Sequence, residues 1–159
     1  MAQPATSIGT RVAHGSVEGA IATAAMTAVL GGAQRVDALS KPPPDQIVES
    51  AAARLGADPP PPPVKGIVVW LAHFAFGVAA GALFRVLRPR PRLATAEGVT
   101  FGLAVWAVSY QGVLPAARLF PPASHDDRRR QIVNVLAHVV FGATLGLQAG
   151  RASRRRNRS

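Results

Sequence analysis

Residues 66–84 read GIVVWLAHFAFGVAAGALF, 19 consecutive positions without a charged side chain. A helix rises ~1.5 Å per residue, so this stretch covers nearly the ~30 Å hydrocarbon core of a bilayer. Two others match it, Gly98 to Ala117 and Gln131 to Gly150, each with 20 uncharged positions. Three such stretches in 159 residues leave too little polar sequence to cover them in water. Backbone amides in lipid must be satisfied within their own segment, which selects helices. The expected fold is an all-α, integral membrane four-helix bundle.

The fourth span is 15–34, rich in Ala, with Glu18 near its start. A cleaved signal peptide is its rival: Arg11 and His14 flank an apolar middle that ends in Gly31-Gly32-Ala33. The internal repeat described below requires this segment as a helix. Spans are therefore expected at about 15–34, 66–87, 94–117 and 131–150, within a membrane domain of residues 15–150. A polar lead, 1–14, precedes them, and a basic tail, 151–159, is expected to be disordered.

The connection 35–65 is the longest, opened by Lys41-Pro42-Pro43-Pro44 and closed by Pro59 to Pro63, runs that favour extended polyproline segments. Between them Asp45 to Leu55 reads as a short helix. Ile47, Val48, Ala51, Ala52 and Leu55 share one face, and Gly56 follows its end. Such a helix could lie on the membrane surface, cap the bundle, or simply pack within the loop. Residues 87–93, Leu-Arg-Pro-Arg-Pro-Arg-Leu, allow only a tight antiparallel hairpin.

Charge fixes the expected orientation. The net charge is +10, and 16 of the 18 basic residues are Arg. The lead, the short connection with Arg85 just before it, and the tail contain 10 of them and no acidic residue. The other two connections contain 8, with 6 acidic residues. Basic residues favour the cytoplasmic side, so both termini are expected there. The Arg128-Arg129-Arg130 cluster lies on the opposite side of this assignment. Because these charges sit in loops and the tail, nucleic acid is not an expected partner. The expected partners are the bilayer and its anionic lipids, through Arg85, Arg88, Arg90, Arg92, Arg151, Arg154, Arg155 and Arg156. A second copy or another membrane protein could join them.

The second and fourth spans share a pattern. Leu71 to Gly81 aligns with Leu136 to Gly146 at a constant offset, with six of 11 positions identical. Glu18-Gly19 and Glu97-Gly98 correspond at the starts of the first and third spans. This predicts a two-helix parallel repeat about an axis along the membrane normal, which sets His73 level with His138 and Glu18 level with Glu97. Ladders at i, i+4 run through Gly77 and Gly81, through Gly142 and Gly146, through Gly15, Gly19, Thr23 and Thr27, and through Gly98 and Gly102. Small residues four apart let helix backbones approach, so these faces should point inward. Trp70, Phe74 and Leu83 should point outward.

The last two spans resemble the YagU-type family of bacterial inner-membrane proteins. The residues behind this are Pro115, Pro121-Pro122, Asn134 and Ala137-His138-Val139-Val140, with His73 and the basic hairpin after it. The resemblance covers roughly residues 66–150. It implies a small multi-pass inner-membrane protein and no established reaction.

Four ionisable residues lie in or beside the spans: Glu18, His73, Glu97 and His138. Such groups are costly in lipid, so they are candidate functional sites. The histidines could serve as interhelical glue, handle protons or a ligand, or hold a haem or metal between them. A direct Glu–His dyad is not expected, because the two levels lie ~15 Å apart along the axis. Tyr110-Gln111-Gly112 before Pro115 predicts a kinked, polar half of the third span. With no cysteine, disulfides and thiolate chemistry are excluded, and no phosphate loop, zinc signature or catalytic triad is visible. The leading expectation is a structural or accessory membrane protein with no cofactor and no enzymatic activity. A small transporter or proton-handling protein comes next, and a bis-His haem- or metal-binding protein third.

Overall fold

The computed structural model describes residues 7–36, 43–58, 61–88, 93–119 and 126–156. Within them the chain is helical: α1 (Ile8–Arg35), α2 (Pro43–Arg54), α3 (Pro62–Leu87), α4 (Ala94–Trp106), a π-helical segment (Ala107–Val113), α5 (Leu114–Ala116) and α6 (Arg128–Arg156). Four helices are long and apolar enough to cross a membrane: Ile8–Arg35, Pro62–Leu87, Ala94–Ala116 and Arg128–Arg154.

Each helix starts further out than the charge-free stretches indicated. Ser7 caps α1, its hydroxyl accepting from the Thr10 amide at 3.2 Å, so the second half of the expected polar lead is helix. The prolines expected in extended segments instead open helices: Pro43-Pro44 start α2 and Pro62-Pro63 start α3. A first-turn proline lacks only an N–H that would have no helical partner anyway. Gly56, at φ 67°, follows α2 in the left-handed conformation that glycine adopts without strain. At the other end α6 continues to Arg156, so the first part of the expected disordered tail is helix. Ser153 Oγ donates to the Ala149 carbonyl there at 3.0 Å.

Two helix pairs form the bundle, α1 with α3 and α4 with α6, and α1 packs on α6 to join them. The pairs meet in the same way. A Cβ built on Gly19 would strike the Gly77 carbonyl and lie 3.1 Å from Gly81 Cα. One built on Gly98 would strike the Gly142 carbonyl and lie 2.8 Å from Gly146 Cα. Gly81 likewise abuts the Gly15 carbonyl, and Gly146 the Ala94 carbonyl. Backbone lies directly on backbone at these crossings, which only glycine permits.

The core between the pairs is built from Ala22, Met26, Leu30, Ala80, Phe84, Ala137, Phe141, Leu145 and Ala149. Phe84 and Phe101 pack ring to ring at 5.2 Å. Gln148 Nε2 donates to the Glu18 carbonyl at 3.2 Å, a polar tie across the α1–α6 contact. Outside, Trp70 and Leu83 are exposed, and Phe74, half-buried, stacks on Trp70 at 5.2 Å.

Candidate functional site

The third membrane-length helix departs from α-geometry where it meets the cavity. Pro115 has no N–H to donate one turn back, and the preceding residues, Ala107–Val113, take the wider π-helical winding. The widened turn presents Ser109 and Tyr110 toward the bundle. Tyr110 is 2% exposed, stacks on Trp106 at 5.9 Å and donates its hydroxyl to Asp126. Asp126 also pairs with Arg130 at 3.1 Å, which ties the end of this helix to the start of α6.

Behind Tyr110 lies a cavity of about 240 Å³. His73 and His138 both line it, with Thr23, Ser109 and Asn134 as polar neighbours and Met26, Leu30, Phe76, Val105 and Phe141 among its apolar walls. Ile47 and Val48 of α2 line it too, so α2 covers the bundle rather than lying apart from it. Lys65 Nζ holds α2 through Glu49 at 2.8 Å, and Arg54 donates to the Ala117 carbonyl. Sequence spacing indicated the two histidines. It gave no sign that α2, Ser109 and Asn134 share their cavity, because those contacts join segments far apart in the chain.

Donors and acceptors of His138, Ser109 and Thr23 are assignable. His138 Nδ1 lies 2.8 Å from the Asn134 carbonyl. A carbonyl only accepts, so Nδ1 carries the proton and Nε2 of the neutral ring is an acceptor. Ser109 donates to the Val105 carbonyl at 2.6 Å and Thr23 to the Gly19 carbonyl at 2.8 Å, leaving both oxygens with lone pairs only. His73 Nε2 is buried with no hydrogen-bond partner among the described residues.

The two glutamates do not line this cavity. Each is held at the end of the bundle where α1 and α4 begin. Glu18, 8% exposed, faces Arg85 with Nε 3.2 Å from Oε2. Glu97 accepts from Arg88 Nε at 2.6 Å and from the Leu93 amide at 3.1 Å.

Arg85 is a correction. It was expected among lipid headgroups, but its side chain is 2% exposed. Glycine at position 15 makes the room: a Cβ there would lie 2.9 Å from Arg85 Cβ. With that space open, Arg85 turns inward to the buried carboxylate. Arg88 is half exposed and shared with Glu97. Arg151 and Arg154 are exposed at the end of α6. Arg90 and Arg92 lie outside the described residues, as do the side chains of Arg155 and Arg156. The predicted packing glycines, Gly19, Gly77, Gly81, Gly98, Gly102, Gly142 and Gly146, are all buried in the two helix pairs.

A haem between the histidines does not fit this space. A cavity of ~150 Å³ accommodates one benzene ring, so 240 Å³ takes one substituted ring and not a four-pyrrole macrocycle. Among the described residues no group of three His, Asp or Glu is placed to bind a metal.

Fold and site together define an all-α chain whose four membrane-length helices, packed on glycine, enclose a small histidine-lined cavity. The chain belongs to a family of unknown function, DUF6789, which matches residues 9–159. No curated protein and no solved structure matches it.

Proposed function

We propose that this is a multi-pass bacterial inner-membrane protein with a structural or accessory, non-enzymatic role, built from a duplicated two-helix unit with both termini in the cytoplasm. The observation that carries it is the glycine packing, in which backbone lies on backbone at corresponding positions of both helix pairs. Such packing suits a rigid scaffold better than a pump whose helices must slide. In this reading the exposed Arg151 and Arg154 meet anionic headgroups, and a second copy or another membrane protein packs on the exposed flanks of α3 and α4. A distant kinship with the YagU-type proteins belongs to the same proposal, supported by Ala137-His138-Val139-Val140 and Pro115.

A transporter or proton-handling protein is the second reading, favoured by the cavity that His73 and His138 share. Proteoliposomes separate the two. For a scaffold, pH-gradient decay matches that of empty liposomes and is unchanged by His73→Ala or His138→Ala. A protein-dependent flux that either variant abolishes would replace the scaffold reading with the transport one.

A further inference from the structure

We infer that the cavity is a binding site for a neutral hydroxylated ring, a phenol or hydroquinone carried in the membrane. The first support is size: about 240 Å³ accommodates one substituted ring. The second is polarity. Most of the lining is aliphatic, aromatic or glycine, and no carboxylate or cationic lysine or arginine is among the lining residues, so a charged ligand would have no counter-ion.

The third support is hydrogen-bond sign. Ser109 and Thr23 direct their protons to their own helices, and His138 spends its Nδ1–H on Asn134. Each therefore offers the cavity an acceptor. A ligand that satisfies them must donate, as a hydroxyl does and a carbonyl or ether does not. His73 lines the same cavity.

Access comes from the side. Ala72 and Phe76 line the cavity and are exposed on the outer face of α3, the face a bilayer would cover. On the α2 side, Ile47 and Val48 close it. Entry through the α3 flank favours a lipid-soluble ligand over a solute from either aqueous phase.

The test uses the full chain in nanodiscs and fluorine NMR, with 4-fluorophenol as probe and 4-fluoroanisole as its methyl-capped control. Empty nanodiscs correct for partition into lipid. Fluorophenol is expected to give a saturable, protein-dependent shift, with fluoroanisole at least ~10-fold weaker, the equivalent of one hydrogen bond of about 1.4 kcal/mol. His138→Phe should bring fluorophenol down to the level of fluoroanisole. Equal binding of the two probes by the wild-type chain would overturn the inference, because the cavity would then recognise only apolar bulk. No saturable signal above empty nanodiscs would overturn it as well. The comparison of probes on the wild-type chain decides the matter even if the variant does not fold.

Discussion

Replacing Gly142 with Ala tests whether the bundle stands on backbone contact. The new Cβ would strike the Gly98 carbonyl oxygen, with the Gly98 carbonyl carbon at 2.8 Å and Val99 Cα at 2.9 Å. Carbon atoms rest at ~3.5–4.0 Å, so α4 and α6 must separate locally by about 1 Å. Overpacking of this kind costs ~1–3 kcal/mol, and the better helix propensity of Ala returns up to ~1 kcal/mol. The expected net loss is about 1–2 kcal/mol. Gly81→Ala, whose Cβ would lie 2.5 Å from Gly19 Cα, should cost a similar amount in the other pair. Gly32 and Gly66 have nothing within 4 Å of an added Cβ, so Ala there should be neutral or stabilising by up to ~1 kcal/mol. Reversible unfolding in mixed micelles of dodecyl maltoside and SDS measures all four. If Gly142→Ala unfolds together with Gly32→Ala, the helices are not held at backbone contact and the reasoning fails.

Other perturbations probe the charges and the cap. Arg85→Leu removes the buried cation that faces Glu18 and should cost ~3–5 kcal/mol, whereas the double variant with Glu18→Leu should recover most of that loss; a double variant as unstable as the single would show that the pair is not the cause. Arg88→Ala, at a half-exposed position, should cost no more than ~1 kcal/mol in the same unfolding assay. Tyr110→Phe removes the hydroxyl bonded to Asp126 and should cost about 1 kcal/mol, seen as earlier unfolding. A fluorescent or phosphatase reporter fused after Ser159 should report a cytoplasmic carboxyl terminus; phosphatase activity would reverse the proposed orientation.

Much of this architecture was legible because helical periodicity is local. Charge-free stretches located the membrane-length helices, and glycines four apart marked the faces that pack, since both signals repeat within one segment. What stayed hidden depends on partners far along the chain. Arg85 sits at the end of an uncharged stretch beside other arginines, which reads as a headgroup position. Its burial follows from Glu18 and from the space at Gly15, both about 70 residues earlier. The cavity was legible only as two histidines at one level. Its acceptor character comes from the windings that direct Ser109 and His138 protons into backbone carbonyls. Helix ends were underestimated because the charge criterion stops where a membrane would stop, whereas caps and first-turn prolines carry α1 and α3 further.

The corresponding positions of the two pairs agree in backbone and diverge in chemistry. Gly19 and Gly98, and Gly81 and Gly146, make matching backbone contacts, whereas Gly77 faces the Thr23 side chain and Gly142 the Gly98 carbonyl; none of the six has room for a side chain. Around them nothing matches as closely. Arg85 corresponds to Gly150, so Glu18 has a buried cation from α3 while Glu97 takes Arg88 and the Leu93 amide instead. Tyr110 corresponds to Gly31, so one pair has a phenol over the cavity where the other has open space. His138 is committed to a carbonyl, and His73 Nε2 is not. Steric constraint explains the agreement, because a change at a backbone crossing separates two helices at once. Positions 85, 110 and 73 carry side chains beside the crossings, and their differences set the local chemistry of each pair. The two histidines therefore line one cavity with unlike neighbours. In the proposed site Nε2 of His138 accepts from the hydroxyl of the ring, and the apolar remainder of the lining covers its body.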